Sequence, residues 1–322
     1  MENTTALLWR QEDTLAERHL LVVEADDESL RNLPHQRLFL HSDLTSVVAH
    51  QYGPWPEVPE GVDLLVVILP KSRERLELVL TALSNGITQP TELWLVGPTK
   101  GGIKGALKQM KTYVEAEEVA VVDTARRCRL YAGMLQPQQG HSLADFAHHW
   151  QAGEDAYVSY PGVFSHGRLD AGTALLLEHL PASLVGLQAL DVGCGAGVIS
   201  LALAQRGAQV TATDVSATAA AATRATLAAN GVAATVAAGD LYGELTGPFD
   251  MIVTNPPFHE GIQRTTEVTE RLIQQAPTYL TPEGELWLVA NHGLPYEACL
   301  KAAFRSVQVV ASNNRFNVWR AE

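Results

Sequence analysis

The sequence predicts an α/β protein of two tandem domains that arose by duplication, each built around a mostly parallel β-sheet. Each half of the 322-residue chain alternates short β-branched runs with longer helical stretches, which is the pattern of such a sheet. The halves also correspond in order. Gly61–Pro70 resembles Pro248–Pro257, and the run Glu-Leu-Trp-Leu-Val occurs at both Glu92–Val96 and Glu285–Val289.

A change of composition between residues 136 and 155, where Gln, Gly and His are frequent, predicts the connection between the two domains. We therefore expect a first domain over residues 1–135, a linker over 136–155 with a short helix around 143–150, and a second domain over 156–322.

The two predicted domains differ in the residues that could carry chemistry. Ala189–Gly197 opens the second domain with three glycines, whereas its counterpart Leu20–Asp26 has none. Likewise, Asn255–Phe258 corresponds to Ile68–Lys71. The first domain is therefore expected to be a degenerate copy that supports folding of the second domain or docks a partner.

The composition indicates a protein of the cytoplasm. No run of 18 apolar residues is present, so no membrane span is expected, and Met1–Asp13 lacks the layout of a signal peptide. Three widely spaced cysteines fit reduced thiols. His148 and His149 lack partners at metal-ligand spacing, so we expect no bound metal, and we expect a monomer.

The net charge of −13 disfavours a broad nucleic-acid surface, so any such surface must be a local patch. Two basic clusters qualify as docking patches, and a solvated helix surface is the alternative interpretation of the lysines. The first cluster is at helical spacing, so its members could share one face. The clusters are Lys100, Lys104, Lys108 and Lys111, and Arg126, Arg127 and Arg129.

A glycine-rich turn follows the predicted strand 187–192 and precedes the helical run 198–205. Gly193, Gly195 and Gly197 have G-x-G-x-G spacing, which differs from the G-x-G-x-x-G of dinucleotide sites. Strand, glycine turn and helix together let a backbone approach a ligand closely. Asp191 would suit the amino group of a methionine moiety, and the alternative is a carboxylate that caps the turn.

Two further acids end predicted strands. Asp214 lies about twenty residues beyond the glycine turn, where an acid accepts ribose hydroxyls, although it could instead cap the following helix. Asp240 could reach an adenine amino group, and simple turn chemistry is its alternative.

Asn255 follows the apolar strand Phe249–Thr254 and is held by two prolines. An amino group on a ring or carbonyl is a poor nucleophile because its lone pair is delocalised. Two acceptors on its hydrogens, the Asn255 side-chain oxygen and the Pro256 carbonyl, would direct that lone pair toward a methyl donor without a strong base. Phe258 offers a face on which a base can stack, and the target nucleotide must be flipped or single-stranded.

The chain resembles the ribosomal RNA small subunit methyltransferase C family, bacterial guanine-N2 enzymes of the Asn-Pro-Pro-Phe type. The residues that carry this resemblance are Asp191–Gly197, Asp214, Asn255–Gly261, Ala125–Cys128, Pro161–Ser165, Leu169–Asp170, Gly172, Leu227–Gly231 and Leu294–Tyr296.

The resemblance implies two tandem Rossmann-like class I methyltransferase domains, of which only the second binds cofactor. It implies S-adenosylmethionine as cofactor, N2-methylguanosine formation in 16S ribosomal RNA as activity, and ribosomal RNA or the small subunit as partner. It also implies that Asn255, Pro256 and Phe258 hold the guanine. The implied cofactor-binding residues are Asp191, Gly193, Gly195, Gly197, Asp214, Asp240 and Asn255, flanked by residues 169–172.

The sequence motifs alone also fit other functions. A large-subunit guanine-N2 enzyme shares much of the pattern, as do adenine-N6 and protein glutamine-N5 methyltransferases. A nicotinamide oxidoreductase would explain the glycine turn and Asp214 but not Asn255–Phe258. A non-catalytic RNA-binding factor would explain neither motif.

Overall fold

The computed structural model describes residues 1–115, 117–164, 167–243, 245–256 and 262–322, with only the backbone for residues 262–265. The chain forms two compact units, Met1–Ala147 and His148–Glu322. Among the described residues, no helix combines the length and the apolar character needed to cross a membrane.

The first unit has a seven-stranded sheet in the order β3-β2-β1-β4-β5-β7-β6, in which β7 runs antiparallel to its neighbours β5 and β6 and the other strand pairs are parallel. Its elements, in chain order, are α1 (Asn3–Trp9), α2 (Glu12–Leu15), β1 (His19–Val23), a 3₁₀ helix (Glu28–Asn32), β2 (Arg37–Ser42), β3 (Gln51–Tyr52), β4 (Leu64–Ile68), α3 (Arg73–Gly86), β5 (Thr91–Pro98), α4 (Ile103–Met110), β6 (Ala120–Ala125), β7 (Cys128–Leu135) and a 3₁₀ helix (Leu143–Phe146).

The second unit has a seven-stranded sheet in the equivalent order β12-β11-β10-β13-β14-β16-β15 and a separate two-stranded hairpin, β8-β9. Its elements are β8 (His148–Ala152), β9 (Asp155–Ser159), α5 (Ala171–His179), β10 (Gln188–Val192), α6 (Val198–Gln205), β11 (Gln209–Asp214), α7 (Ala217–Ala229), β12 (Thr235–Ala238), β13 (Phe249–Thr254), α8 (Ile262–Tyr279), β14 (Leu280–Asn291), α9 (Tyr296–Ala303), β15 (Val307–Ser312) and β16 (Phe316–Ala321).

The strand register confirms the duplication that the sequence predicts. The last paired residues of the two central strands are Val23 with Val67 in the first sheet and Val192 with Thr254 in the second. Glu24 therefore occupies the position of Gly193, and Ile68 occupies the position of Asn255. The two units share a scaffold and differ at the carboxyl ends of their central strands.

The central strands of both sheets are buried on both faces, which explains why these strands are nearly continuously apolar. In β1, Leu20 and Val22 contribute to one core cluster and Leu21 and Val23 to the other, as the two-residue period of a strand requires. In β10 the same alternation puts Asp191 on the face that packs against α6.

The stretch expected as a linker contains ordered structure. A 3₁₀ helix over Leu143–Phe146 ends the first unit, and residues 148–152 form β8 of the second unit. β8 pairs antiparallel with β9 through a two-residue turn, Gly153-Glu154. The ring of Trp150 in β8 stacks on Tyr157 in β9 with centroids 4.3 Å apart.

Candidate active site

The loop between β10 and α6 leaves clear space beside its backbone. Gly193 and Gly195 have φ of +79° and +55°, in the region that favours glycine. A Cβ atom on either would meet no heavy atom within 4 Å. At Gly197, by contrast, a Cβ would lie 3.0 Å from Thr223 Cα on α7. The loop therefore packs on α7 at one end and is open to a ligand at the other.

The carboxylate of Asp214, at the end of β11, braces this loop. Its Oδ2 accepts a hydrogen bond from the Gly195 backbone N–H at 3.0 Å, and its Oδ1 accepts from the Ser216 backbone N–H at 2.9 Å. The N-cap of α7 is Ser216, whose hydroxyl accepts from the Ala219 N–H at 3.1 Å. Asp214 is therefore beside the open loop, where the ribose contact stays a prediction.

Asp191 is fully buried. Its Oδ2 accepts a hydrogen bond from the Ser200 hydroxyl at 2.5 Å, in the first turn of α6. Its Oδ1 has no hydrogen-bond partner among the described residues. Burial, and then the nearby charge of Asp214, raise the pKa of the Asp191 carboxyl to about 7. The contact with a methionine amino group stays a prediction, and Asp191 is not among the residues that line the cleft described below.

Asp240 is partly exposed, in contrast to the fully buried Asp191. Its Oδ2 lies 3.0 Å from Arg271 Nη2 of α8, and both side chains are in partial contact with solvent. The predicted adenine contact would have to coexist with this ion pair or replace it.

The side chain of Asn255 is held at the tip of β13 with its oxygen unused. Its Nδ2 donates to Asp170 Oδ2 at 3.0 Å and to Thr173 Oγ1 at 2.8 Å. Its Oδ1 is buried and has no hydrogen-bond partner among the described residues. Pro256 is buried beside it. Phe258 and His259 lie outside the described residues.

One cleft in the second unit brings the open loop and the asparagine together. Gly193, Gly195 and Asn255 line it, and so do further residues, of which Asp170 belongs to the segment 169–172 that was expected to flank the cofactor. The additional lining residues are Trp150, Phe164, Arg168, Asp170, Thr173, Cys194, Ala196, Val198 and Ile199. The cleft can therefore present an acceptor oxygen to a ligand lying against the glycine loop.

Comparison with known proteins gives consistent matches over the whole chain. Residues 156–320 match the family described as methyltransferase small domain, and residues 5–150 match its N-terminal counterpart. The ribosomal RNA small subunit methyltransferase C of Alcanivorax borkumensis is 50% identical, over 100% of this chain and 99% of the relative. That of Yersinia enterocolitica is 40% identical, over 83% of this chain and 76% of the relative.

The chain belongs to the ribosomal RNA small subunit methyltransferase C family. Among solved structures, the 16S rRNA N2 G1207 methyltransferase of T. thermophilus in complex with AdoMet and guanosine superimposes with a TM-score of 0.86. Its sequence is 25% identical, and the match covers 100% of this chain and 92% of that one. At the level of the family, the predicted fold, enzyme class, cofactor and 16S ribosomal RNA guanine-N2 activity are confirmed.

The first unit of this methyltransferase C family member has lost the open loop. Glu24, in the place of Gly193, has φ of +61° and lies 2.6 Å from Arg75 Nη2. Arg75 is buried, and its Nη1 also donates to the Pro54 carbonyl at 2.8 Å. An ion pair therefore fills the position that is open in the second unit, which confirms that the first domain is degenerate.

Two cleft residues of this methyltransferase had weak signals in the sequence. Trp150 lies in a stretch too polar to resemble a buried strand, and only the Gly153-Glu154 turn between two runs of five residues indicates a hairpin. Thr173 follows Asp170 by three residues, which is the spacing of a helix N-cap. Nothing local connects either of them to Asn255.

Proposed function

We propose that the cleft beside Gly193 and Gly195 binds S-adenosylmethionine, and that Asn255 holds the N2 amine of a guanine of 16S ribosomal RNA against it. The observation that carries this proposal is the buried Oδ1 of Asn255, which has no partner in the described part of the chain and lies in the same cleft as the glycine loop. The target we propose is the equivalent of G1207, the guanine named for the T. thermophilus neighbour.

The residues of the cleft fit this cofactor. The space beside the two glycines admits a ligand against the backbone. Asp191 and Asp214 add acidic character beside it, which suits a ligand that carries an ammonium and a sulfonium charge. When bound, S-adenosylmethionine supplies an electrophilic methyl group.

The chain's own part in the reaction is to position and polarise the amine. Asn255 Oδ1 and the Pro256 carbonyl accept from the two N2 hydrogens, so the nitrogen lone pair is directed away from the ring and toward the methyl group. After transfer the nitrogen loses one proton to solvent, so no strongly basic side chain is required.

Transfer of labelled methyl groups to separated substrates tests this function. Small ribosomal subunits from a strain that lacks this enzyme should accept label at one guanine N2. Large subunits, DNA and release factor should accept none. Label on an adenine, a glutamine or a large-subunit guanine instead would contradict the proposal.

The affinity for S-adenosylmethionine is expected to rise with pH if Asp191 binds its ammonium group. With a pKa of about 7, the ionised fraction of Asp191 increases by roughly eightfold between pH 6 and pH 7.5, while the ligand's α-amino group stays mostly protonated. Isothermal titration calorimetry should therefore give a lower Kd at pH 7.5 than at pH 6.

Burial also raises the pKa of Asp26 in the first unit, to about 6, so Asp26 titrates in the same pH range as Asp191. The Asp191→Asn variant shows which of the two carboxyls causes the pH dependence of binding. This variant should bind more weakly at pH 7.5 and lose the pH dependence. Without ligand, the folded state retains the Asp191 proton more strongly than the unfolded chain. Stability therefore falls as the pH rises from about 4 through about 7, and the variant should remove that contribution. A parental Kd that is independent of pH would exclude Asp191 as the ammonium ligand.

We also propose that the first unit docks RNA through one edge of its sheet, called here the basic edge. β4 and β5 end there, and Cys128 of β7 pairs with Pro98 of β5, so the β6–β7 turn lies at the same edge. The backbone N–H and the hydroxyl of Thr99 both donate to the Arg127 carbonyl at 2.8 Å, which joins the loop after β5 to that turn. The basic edge consists of Lys71, Arg73, Lys100, Lys104, Arg126 and Arg127, all exposed.

The backbone conformation of the β6–β7 turn indicates that its two arginines serve a function other than stabilising the fold. Arg126 and Arg127 have φ of +52° and +58°, where Asn and Gly are the usual residues. Arginine at both positions therefore costs conformational energy that a functional contact can offset. Arg129, in contrast, is half-buried and lies against Tyr131, so it does not belong to the basic edge.

The double variant Arg126→Asn/Arg127→Gly removes two charges while giving the turn residues it favours. It is expected to weaken binding to ribosomal RNA and to reduce the slope of log K against log salt by about 0.7 for each phosphate that the variant no longer neutralises. Fluorescence anisotropy at several salt concentrations measures this slope. The matched control Arg31→Ala/Arg37→Ala removes two exposed arginines elsewhere in the unit and should keep it. An unchanged slope in the turn variant would rule out this docking role.

A further inference from the structure

Asp170 connects the start of α5 to the asparagine of the cleft. We propose that Asp170 is a positioning residue that fixes the orientation of the Asn255 amide, with Thr173 completing the contact. The inference rests on the proposed function of Asn255 as the acceptor for the target amine.

Both hydrogens of the Asn255 amide nitrogen are used within the protein. One acceptor is Asp170 Oδ2 at 3.0 Å and the other is Thr173 Oγ1 at 2.8 Å. The remaining polar atom, Oδ1, is buried and accepts from none of the residues that the structure describes. All three residues line the same cleft, so the orientation of this amide decides whether the cleft presents an acceptor or a donor.

Asp170 and Thr173 do not contribute equally to the orientation of the Asn255 amide. A threonine hydroxyl both donates and accepts, so it could pair with either end of the amide. A carboxylate only accepts, so at 3.0 Å it pairs with the amide nitrogen and repels the amide oxygen. A flipped amide would turn its N–H groups toward the hydrogens of the target amine. Asp170 therefore selects the productive orientation.

Asp170 is itself held rigidly. Its Oδ2 also accepts from the Thr173 backbone N–H at 2.9 Å, as the N-cap of α5. Gly172 leaves the space that this arrangement needs, because a Cβ there would lie 3.1 Å from Asp170 Oδ2 and 3.2 Å from the Phe316 ring. One oxygen thus caps the helix and orients the amide.

Two substitutions of Asp170 separate its role as the N-cap of α5 from its hydrogen bond with the Asn255 amide. Serine and asparagine cap helices about as well as aspartate. Asp170→Asn keeps an accepting oxygen within reach of Asn255, whereas the shorter serine side chain of Asp170→Ser does not reach it. We expect Asp170→Ser to lower kcat by about 10- to 100-fold with little change in KM for S-adenosylmethionine. Asp170→Asn should retain clearly more activity.

The matched control is Asp27→Ser, which changes the N-cap aspartate of a 3₁₀ helix in the first unit and should keep parental kcat. A cap role alone would make Asp170→Ser and Asp170→Asn equally active, and that result would overturn the inference.

A direct readout comes from NMR of protein labelled with ¹⁵N-asparagine, with the Asn255 side-chain signal assigned by its loss in Asn255→Ala. Its amide protons should exchange slowly in the parent and faster in Asp170→Ser. If Asp170→Ser folds poorly, Thr173→Val serves as the second variant, because it removes only the hydroxyl that accepts from Asn255. One of the two Asn255 amide protons is then expected to exchange faster than in the parent. Protection that stays at the parental level in these variants would overturn the inference. This readout judges the amide contact even if the parent methylates a different amine, so it is independent of the proposed function.

Discussion

Replacement of Asn255 with alanine is expected to lower kcat for methyl transfer by about 10²–10³-fold, which is the usual cost of removing one polar group that stabilises a transition state. The Oδ1 of Asn255 is the buried acceptor proposed to polarise the amine, and no other described residue takes its place at the tip of β13. Single-turnover transfer of labelled methyl groups to small ribosomal subunits measures the effect directly.

The matched control for this variant is Asn291→Ala. Asn291 ends the neighbouring strand β14 and lies outside the residues that line the cleft; its Oδ1 also lacks a partner within the described ranges. It should keep parental kcat. If Asn255 holds the amine and adds little to cofactor binding, calorimetry should give nearly the same Kd for S-adenosylmethionine in parent and Asn255→Ala, because the glycine loop is untouched. Full methylation by Asn255→Ala would show that the enzyme activates the amine by another group.

Replacement of Glu24 with glutamine is expected to destabilise the first unit by about 3 kcal/mol, since it removes the carboxylate paired with the buried Arg75 and leaves Asp43 as the acidic group that still acts on the guanidinium. For a unit of this size that corresponds to a decrease in Tm of roughly 10 °C. Glutamine has to adopt the same left-handed backbone as Glu24, so backbone strain does not differ between the two proteins. Differential scanning calorimetry of the full chain measures the change.

The double variant Glu24→Gln/Arg75→Met also removes the buried guanidinium and should recover much of the lost stability, because apolar replacement of a buried ion pair is often neutral or stabilising. Glu297→Gln is the control. It breaks the exposed ion pair with Lys301 in the second unit and should shift Tm far less. If Glu24→Gln and Glu297→Gln shifted Tm equally, the buried Glu24–Arg75 pair would contribute no more to stability than an exposed ion pair does.

The features of the fold that depend on local sequence were predictable. Asp214 ends a strand, β11, as predicted, and the predicted helix 198–205 has the observed bounds, because apolar runs between glycine turns specify these elements locally. The duplication was predictable for the same reason, since equivalent strands keep equivalent sequences. The tip of β13, with Asn255, followed from the two prolines after an apolar run.

The features of the site that depend on distant contacts were not predictable. Asp170 and Asn255 are 85 residues apart in the chain, and their hydrogen bond exists only because α5 packs beside β13. The complete burial of Asp191 depends on its contact with α6. The strand β8 has polar residues at most positions, and its partners β9 and α7, rather than its own composition, make it a strand.

The β8–β9 hairpin determines where the catalytic unit can be cut from the chain. β9 is held on one side by β8 and on the other by side chains of α7: Thr226 bonds to the backbone of Val158, and Asn230 bonds to that of Ala156. The same helix supports the glycine loop, where the Thr223 hydroxyl donates to the Gly195 carbonyl at 3.0 Å. A fragment that began at residue 156 would expose one edge of β9 and lose Trp150 from the cleft. Separate expression of a catalytic fragment therefore has to start no later than His148.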